Sequence, residues 1–95
     1  MKNVSGKTVL ITGGAMGIGR ELAFRFLKDK ARLVLIDIVR EELEKTAGEL
    51  RKAGGDIHTY ICDVSNRDNV YAMAEKVKKE VGRVDILVNN AGVLF

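Results

Sequence analysis

Apolar residues recur along this chain in two alternating rhythms, short unbroken runs and stretches spaced three or four apart. Thr8-Val9-Leu10-Ile11-Thr12 is a run rich in β-branched residues, stopped by Gly13-Gly14, and predicts a first strand. From Gly17 to about Lys28, Ile18, Leu22 and Phe26 fall four apart with Ala23 and Leu27 beside them, which predicts a helix with a broad apolar face. Arg32 to Asp37 predicts a second strand, and its continuous apolar stretch implies burial on both faces, as in a parallel sheet. A second helix is expected from roughly Arg40 to Ala53, with Leu43, Ala47 and Leu50 on one side and Gly54-Gly55 as its stop.

Ile57 to Cys62 alternates apolar and polar residues, which predicts a third strand nearer a sheet edge. Ser65 is the expected N-cap of a third helix, with Asp68 in its first turn. That helix should turn Val70, Met73, Ala74, Val77 and Val81 inward and end at Gly82. Val84 to Asn89 reads as a fourth, interior strand. Apolar runs alternating with helical segments favour an α/β fold, a Rossmann-type doubly wound parallel sheet. Right-handed crossovers give the strand order 3-2-1-4. An interior strand so close to Phe95 would be an exposed edge, so the 95 residues are expected to be the N-terminal part of a longer single-domain protein.

Composition narrows the setting. Hydrophobic residues make up 46% and charged residues 31%, as in ordinary globular proteins. A net charge of +3 with no long basic run gives little pull toward nucleic acid, so no nucleic-acid partner is expected. The single cysteine, Cys62, excludes an internal disulfide and suits a reducing compartment. No segment has the apolar length of a membrane span, and the first residues lack the core of a signal peptide. A cytoplasmic location is the expectation.

The chemistry-bearing residues sit where predicted strands end. In Thr12-Gly13-Gly14-Ala15-Met16-Gly17-Ile18-Gly19, Gly13 permits a tight turn out of the strand, Gly17 lets the backbone approach a pyrophosphate, and Gly19 lets the helix pack closely. The uncompensated N–H groups at the helix start would face the phosphates, bordered by Met16 and Ile18. Asp37, about twenty residues on, is placed to bind ribose hydroxyls and to repel a 2′-phosphate. Arg40 follows closely but can equally open the second helix, and the balance favours NAD(H) over NADP(H). Asp63 after the third strand can accept from an adenine amino group, with the Val64 backbone along the ring. Asn89 and Asn90 can tie strand ends together, while Ala91-Gly92 leaves room for a ribose. His58 and Cys62 are two ligands short of a metal site, so no metal is expected.

Taken together these motifs resemble the short-chain dehydrogenase/reductase family. Thr12 to Gly19 matches its glycine motif, Asp37 its NAD-selecting acid, Asp63-Val64 its adenine pair and Asn89 to Gly92 its N-N-A-G motif. Leu33 to Asp37 and Ile86 to Val93 also look like the branch acting on hydroxysteroids and retinoids.

The resemblance implies hydride transfer between a nicotinamide dinucleotide and a small-molecule alcohol or carbonyl. In the family a tyrosine acts as acid/base, with a lysine four residues later and a serine beside them. Neither tyrosine here fits: Val64 stands four residues after Tyr60, and Glu75 four after Tyr71. No catalytic residue is therefore assigned, and the isolated 95-residue chain is expected to turn over no alcohol in a dehydrogenase assay. Homo-oligomerisation of the complete protein stays open. Two other readings also stay open: a non-catalytic nucleotide-binding or interaction module that pairs through its fourth strand, and a methyltransferase of related topology. Asn89-Asn90-Ala91-Gly92 argues against the latter.

Overall fold

A computed structural model describes residues 2–90. After a single 3-10 turn, Lys2–Val4, the elements follow as β1 (Thr8–Thr12), α1 (Gly17–Lys28), β2 (Arg32–Asp37), α2 (Arg40–Lys52), β3 (Ile57–Ile61), α3 (Arg67–Glu80) and β4 (Ile86–Asn89). The strands form one parallel sheet in the order β3-β2-β1-β4, as the strand pattern predicts. Thr12 pairs with both Ile36 and Asn89, and Asp37 with Ile61. This register brings the segments that follow all four strands to one edge of the sheet.

The two faces of the sheet carry different loads. On one, Val9, Ile11, Leu33 and Leu35 pack against Ala23 and Phe26 of α1 and Leu43, Ala47 and Leu50 of α2. On the other, Leu10, Val34, Ile36 and Cys62 meet Val77 and Val81 from α3 and its end. β1 and β2 are therefore buried on both sides, which is why their sequences run apolar without alternation. The carboxyl end of α2 closes by paired backbone bonds, Gly55 N–H to Leu50 O at 3.0 Å and Gly54 N–H to Arg51 O at 2.9 Å.

Several expectations shift. Asn66, not Ser65, caps α3: its side-chain oxygen accepts from Asn69 N–H at 3.0 Å, while Ser65 is drawn back to Asp63. Ala74 is exposed, and only Val77 within α3 is buried, with Val70 and Met73 half-buried. β4 begins at Ile86 because the Asp85 carboxylate itself accepts from Thr8 N–H at 2.9 Å. The exposed edge expected at the fourth strand is present among the described strands, with β4 alternating half-buried and exposed positions and Leu87 65% exposed. α2 ends at Lys52, with Ala53 as its cap, and β3 ends at Ile61. Ile18, expected on the packed face of α1, is instead exposed at its first turn.

Candidate functional site: the strand-end cleft

The first bend turns sharply because two of its glycines sit at positive φ, Gly13 at +66° and Gly17 at +56°. L-residues are strained in that region, so both positions demand glycine whatever space surrounds them. Gly19 obeys a different constraint. A Cβ there would lie 1.9 Å from the Gly13 carbonyl oxygen, so the start of α1 is pressed directly against the bend. Gly14 is nearly as tight, with Leu35 Cδ2 3.0 Å and Ile11 O 3.2 Å from a built Cβ, a steric role the sequence reading did not assign. At Gly17 a Cβ would point into open space among the described residues.

Met16 forms the N-cap in extended conformation, and no side chain caps it. The first turn of α1 carries no acidic residue either. Its N–H groups at Gly17, Ile18 and Gly19 thus lack intrahelical partners and meet the positive end of the helix dipole. Met16 and Ile18 flank this spot, 48% and 72% exposed.

Asp37 reaches across to this bend. Its Oδ2 accepts from Ala15 N–H at 3.1 Å, and its Oδ1 from Ile38 N–H at 2.8 Å and Val39 N–H at 3.1 Å. The carboxylate therefore also locks the β2–α2 turn, a structural duty that its place at a strand end did not reveal. Arg40 opens α2 and lies 3.7 Å from Glu44.

The far side of the bend is tied by the asparagines. Asn90 N–H donates to Thr12 Oγ1 at 3.0 Å, and its Nδ2 donates to the Gly13 carbonyl at 3.2 Å. Thr12 Oγ1 donates to Asn89 Oδ1 at 3.2 Å. The expected cross-strand tie is present, and it anchors the bend to β4. Ala91 and Gly92 lie outside the described residues.

Asp63 completes the cleft. Its Oδ1 accepts from Ser65 Oγ at 2.6 Å and from Ser65 N–H at 3.0 Å, and these bonds hold its carboxyl below the usual carboxylate range. A cavity of about 220 Å³ is lined by Gly13, Asp37, Ile38, Cys62, Asp63 and Val64 among others. Burial, helped by the Asp63 charge, pushes the Cys62 thiol up, so it lines the cavity as a neutral group. Ile38 and Cys62 are contacts the sequence reading missed; each directly adjoins a strand-end aspartate, which is the signal that marks them.

Tyr60 donates to Glu80 Oε1 at 2.6 Å, and burial followed by that hydrogen bond and charge pushes its pKa up to about 12. A phenol so firmly protonated is no general base at neutral pH. A larger apolar groove of about 570 Å³ runs between α3 and the β1–β4 face, with Lys78 its one charged lining residue among those described. Its lining is otherwise mostly apolar, and it shares Thr12, Val64, Ser65 and Asn89 with the residues described above. Among the described residues, no cluster of three His, Cys, Asp or Glu side chains is placed to hold a metal, and no helix is long and apolar enough to cross a membrane.

The comparison with known proteins decides the family. The family model for short chain dehydrogenase matches residues 7–94. The chain belongs to the short-chain dehydrogenase/reductase family. The 17-beta-hydroxysteroid dehydrogenase 13 of Rattus norvegicus is 50% identical over 94 residues, covering 99% of this chain and 31% of that protein. The chain thus spans about a third of the length of the curated relatives it matches. This likeness agrees with the hydroxysteroid branch seen in Leu33 to Asp37 and Ile86 to Val93.

Solved members of the short-chain dehydrogenase/reductase family agree on the fold. NAD+-bound xylitol dehydrogenase superposes with a TM-score of 0.91 at 35% identity, over 97% of this chain and 35% of that one. L-sorbose reductase from Gluconobacter frateurii, complexed with NADPH and L-sorbose, gives 0.91 at 36% identity over the same shares. The family fold therefore accommodates either dinucleotide.

Proposed function

We propose that this chain forms the ADP-binding half of the cofactor site in an NAD(H)-dependent oxidoreductase. The whole protein would transfer hydride between the nicotinamide and a secondary alcohol or carbonyl carbon. The observation that carries this reading is the 3.1 Å contact from Ala15 N–H to Asp37 Oδ2, which sets a strand-end acid against the glycine bend. The uncapped start of α1 and the open space at Gly17 fit a diphosphate. Gly13, Gly17 and Gly19 shape the bend, and Met16 and Ile18 border the phosphates. Asp37 takes the ribose hydroxyls, and the Asp63 oxygen opposite its Ser65 contacts takes the adenine amino group, with Val64 along the ring. Asn90 holds the bend in place. When bound, the nicotinamide supplies the hydride donor or acceptor; this chain's residues bind and orient its distant half.

Preference for NAD(H) over NADP(H) rests on Asp37, whose charge opposes a 2′-phosphate. The hydroxysteroid dehydrogenase relatives support a secondary alcohol or its ketone as substrate. A reducing cytoplasmic setting is supported by the lone buried thiol of Cys62.

The test is Asp37→Arg in the intact protein, with NADH and NADPH affinities measured by calorimetry. Because Asp37 also braces the bend, both affinities should fall, so the ratio is the informative quantity. The NADPH-to-NADH affinity ratio is expected to rise on the order of 100-fold, the worth of replacing a like-charge clash by an opposite charge. An unchanged ratio removes Asp37 from cofactor selection.

A further inference from the structure

α2 reaches into the glycine bend through one hydroxyl. Thr46 Oγ1 donates to the Ala15 carbonyl at 2.7 Å, the shortest of the side-chain bonds made to this bend. Thr46 is 1% exposed and stands among Leu43, Ala47 and Leu50 on the packed face of α2. A threonine there is not explained by packing alone. It is a poorer helix former than alanine or leucine, and a hydroxyl buried on an apolar face is costly without a partner. A mid-helix threonine often returns its hydroxyl to the carbonyl four residues earlier. Here the hydroxyl crosses to another element instead.

The consequence concerns a single residue. Ala15 has its N–H held by Asp37 and its C=O held by Thr46, and its side chain is buried. Next come Met16, the N-cap, and Gly17, the first residue of α1. With both ends of Ala15 pinned, little freedom remains in the direction from which Met16 enters the helix. One turn further along α2, Glu49 pairs with Arg20 of α1 at 3.0 Å. α2 therefore braces both the bend and the helix it leads into.

We propose that Thr46 is a positioning residue for the diphosphate: through the Ala15 carbonyl it aims the first-turn N–H groups of α1. This rests on the cofactor-site reading above, and it adds that the α2 hydroxyl sets the affinity of that site for the phosphate end of the ligand. Such a residue touches no ligand atom. Its effect should appear on ligands that carry a diphosphate and be small on those that do not.

The experiment compares Thr46→Val, which keeps the shape and removes the hydroxyl, with Thr46→Ser, which keeps the hydroxyl, in the intact protein. Affinities for NADH, ADP and adenosine are read below the melting temperature of every variant. Thr46→Val is expected to weaken NADH and ADP by roughly tenfold, the order expected for a buried carbonyl left without its donor. Adenosine affinity should stay within about twofold, and Thr46→Ser should restore ADP to within about threefold. Equal losses on ADP and adenosine would mean general loosening of the fold and overturn the assignment, as would a Thr46→Ser defect as large as that of Thr46→Val. Undiminished ADP binding by Thr46→Val overturns the role of Thr46 alone. Failure of the unmodified protein to bind NADH or ADP overturns the site reading as well.

Discussion

Gly19→Ala is expected to destabilise the protein by about 3 kcal/mol, the upper end of what forcing extra volume into a packed region costs. The added methyl would fall 1.9 Å from the Gly13 carbonyl oxygen and 2.9 Å from Asn90 Nδ2. Neither neighbour can give way cheaply. The carbonyl is backbone, and Asn90 Nδ2 is itself bonded to that carbonyl at 3.2 Å. Relief requires the start of α1 to lift away from the bend, which misdirects the first-turn N–H groups. A thermal or urea melt of the intact protein reads the loss. Gly48→Ala is the matched control, because α2 already spans Gly48 and nothing among the described residues lies within 4 Å of a Cβ there. That change should be neutral or stabilise by up to about 1 kcal/mol. Equal melting behaviour of the two variants would show that the close approach at Gly19 is not what the geometry indicates.

Gly17→Val separates binding from folding. Its φ of +56° is a region valine enters at a cost of roughly 1–2 kcal/mol, so some stability is lost. The larger effect falls on the ligand, because the isopropyl group would occupy the open space over the first turn of α1. NADH affinity is expected to fall by more than about 100-fold, as a blocked anion site at a helix start should. Circular dichroism should stay close to that of the unmodified protein. Retention of NADH binding within about threefold by calorimetry would remove the diphosphate from this bend.

Much of this arrangement was legible because the apolar rhythm and the turn residues agree. β1, β2 and α1 fall where their runs begin and end, since a strand buried on both faces leaves an unbroken apolar signature. The strand order follows from crossover handedness once the elements are set. The residues proposed to hold the cofactor stand out as strand-end positions, because a parallel sheet gathers such positions at one edge without further information.

What escaped the sequence depends on contacts between distant segments. Thr46 looks like filler between Leu43 and Ala47, and only tertiary packing brings its hydroxyl to a carbonyl 31 residues away. Asp37 was visible as an acid at a strand end, but its hold on Ala15 spans 22 residues and has no local signature. The choice between Ser65 and Asn66 as the α3 cap turned on Asp63, which draws the serine hydroxyl to itself and leaves the asparagine to serve the helix. The apolar run of β4 speaks for burial, yet among the described strands only β1 pairs with it: Ile86 and Val88 pack against the core shared by α1 and α2, while Leu87 lines the open groove beside α3 and stays exposed.

A crystal structure of the intact protein with NAD+ bound tests the central claim most directly. The pyrophosphate oxygens should lie within roughly 3 Å of N–H groups at Gly17 to Gly19, hydrogen-bonding distance, with the adenosine in the cavity between Asp37 and Asp63. A dinucleotide found instead in the apolar groove between α3 and β4, or anywhere clear of the Gly13–Gly19 bend, would contradict the account.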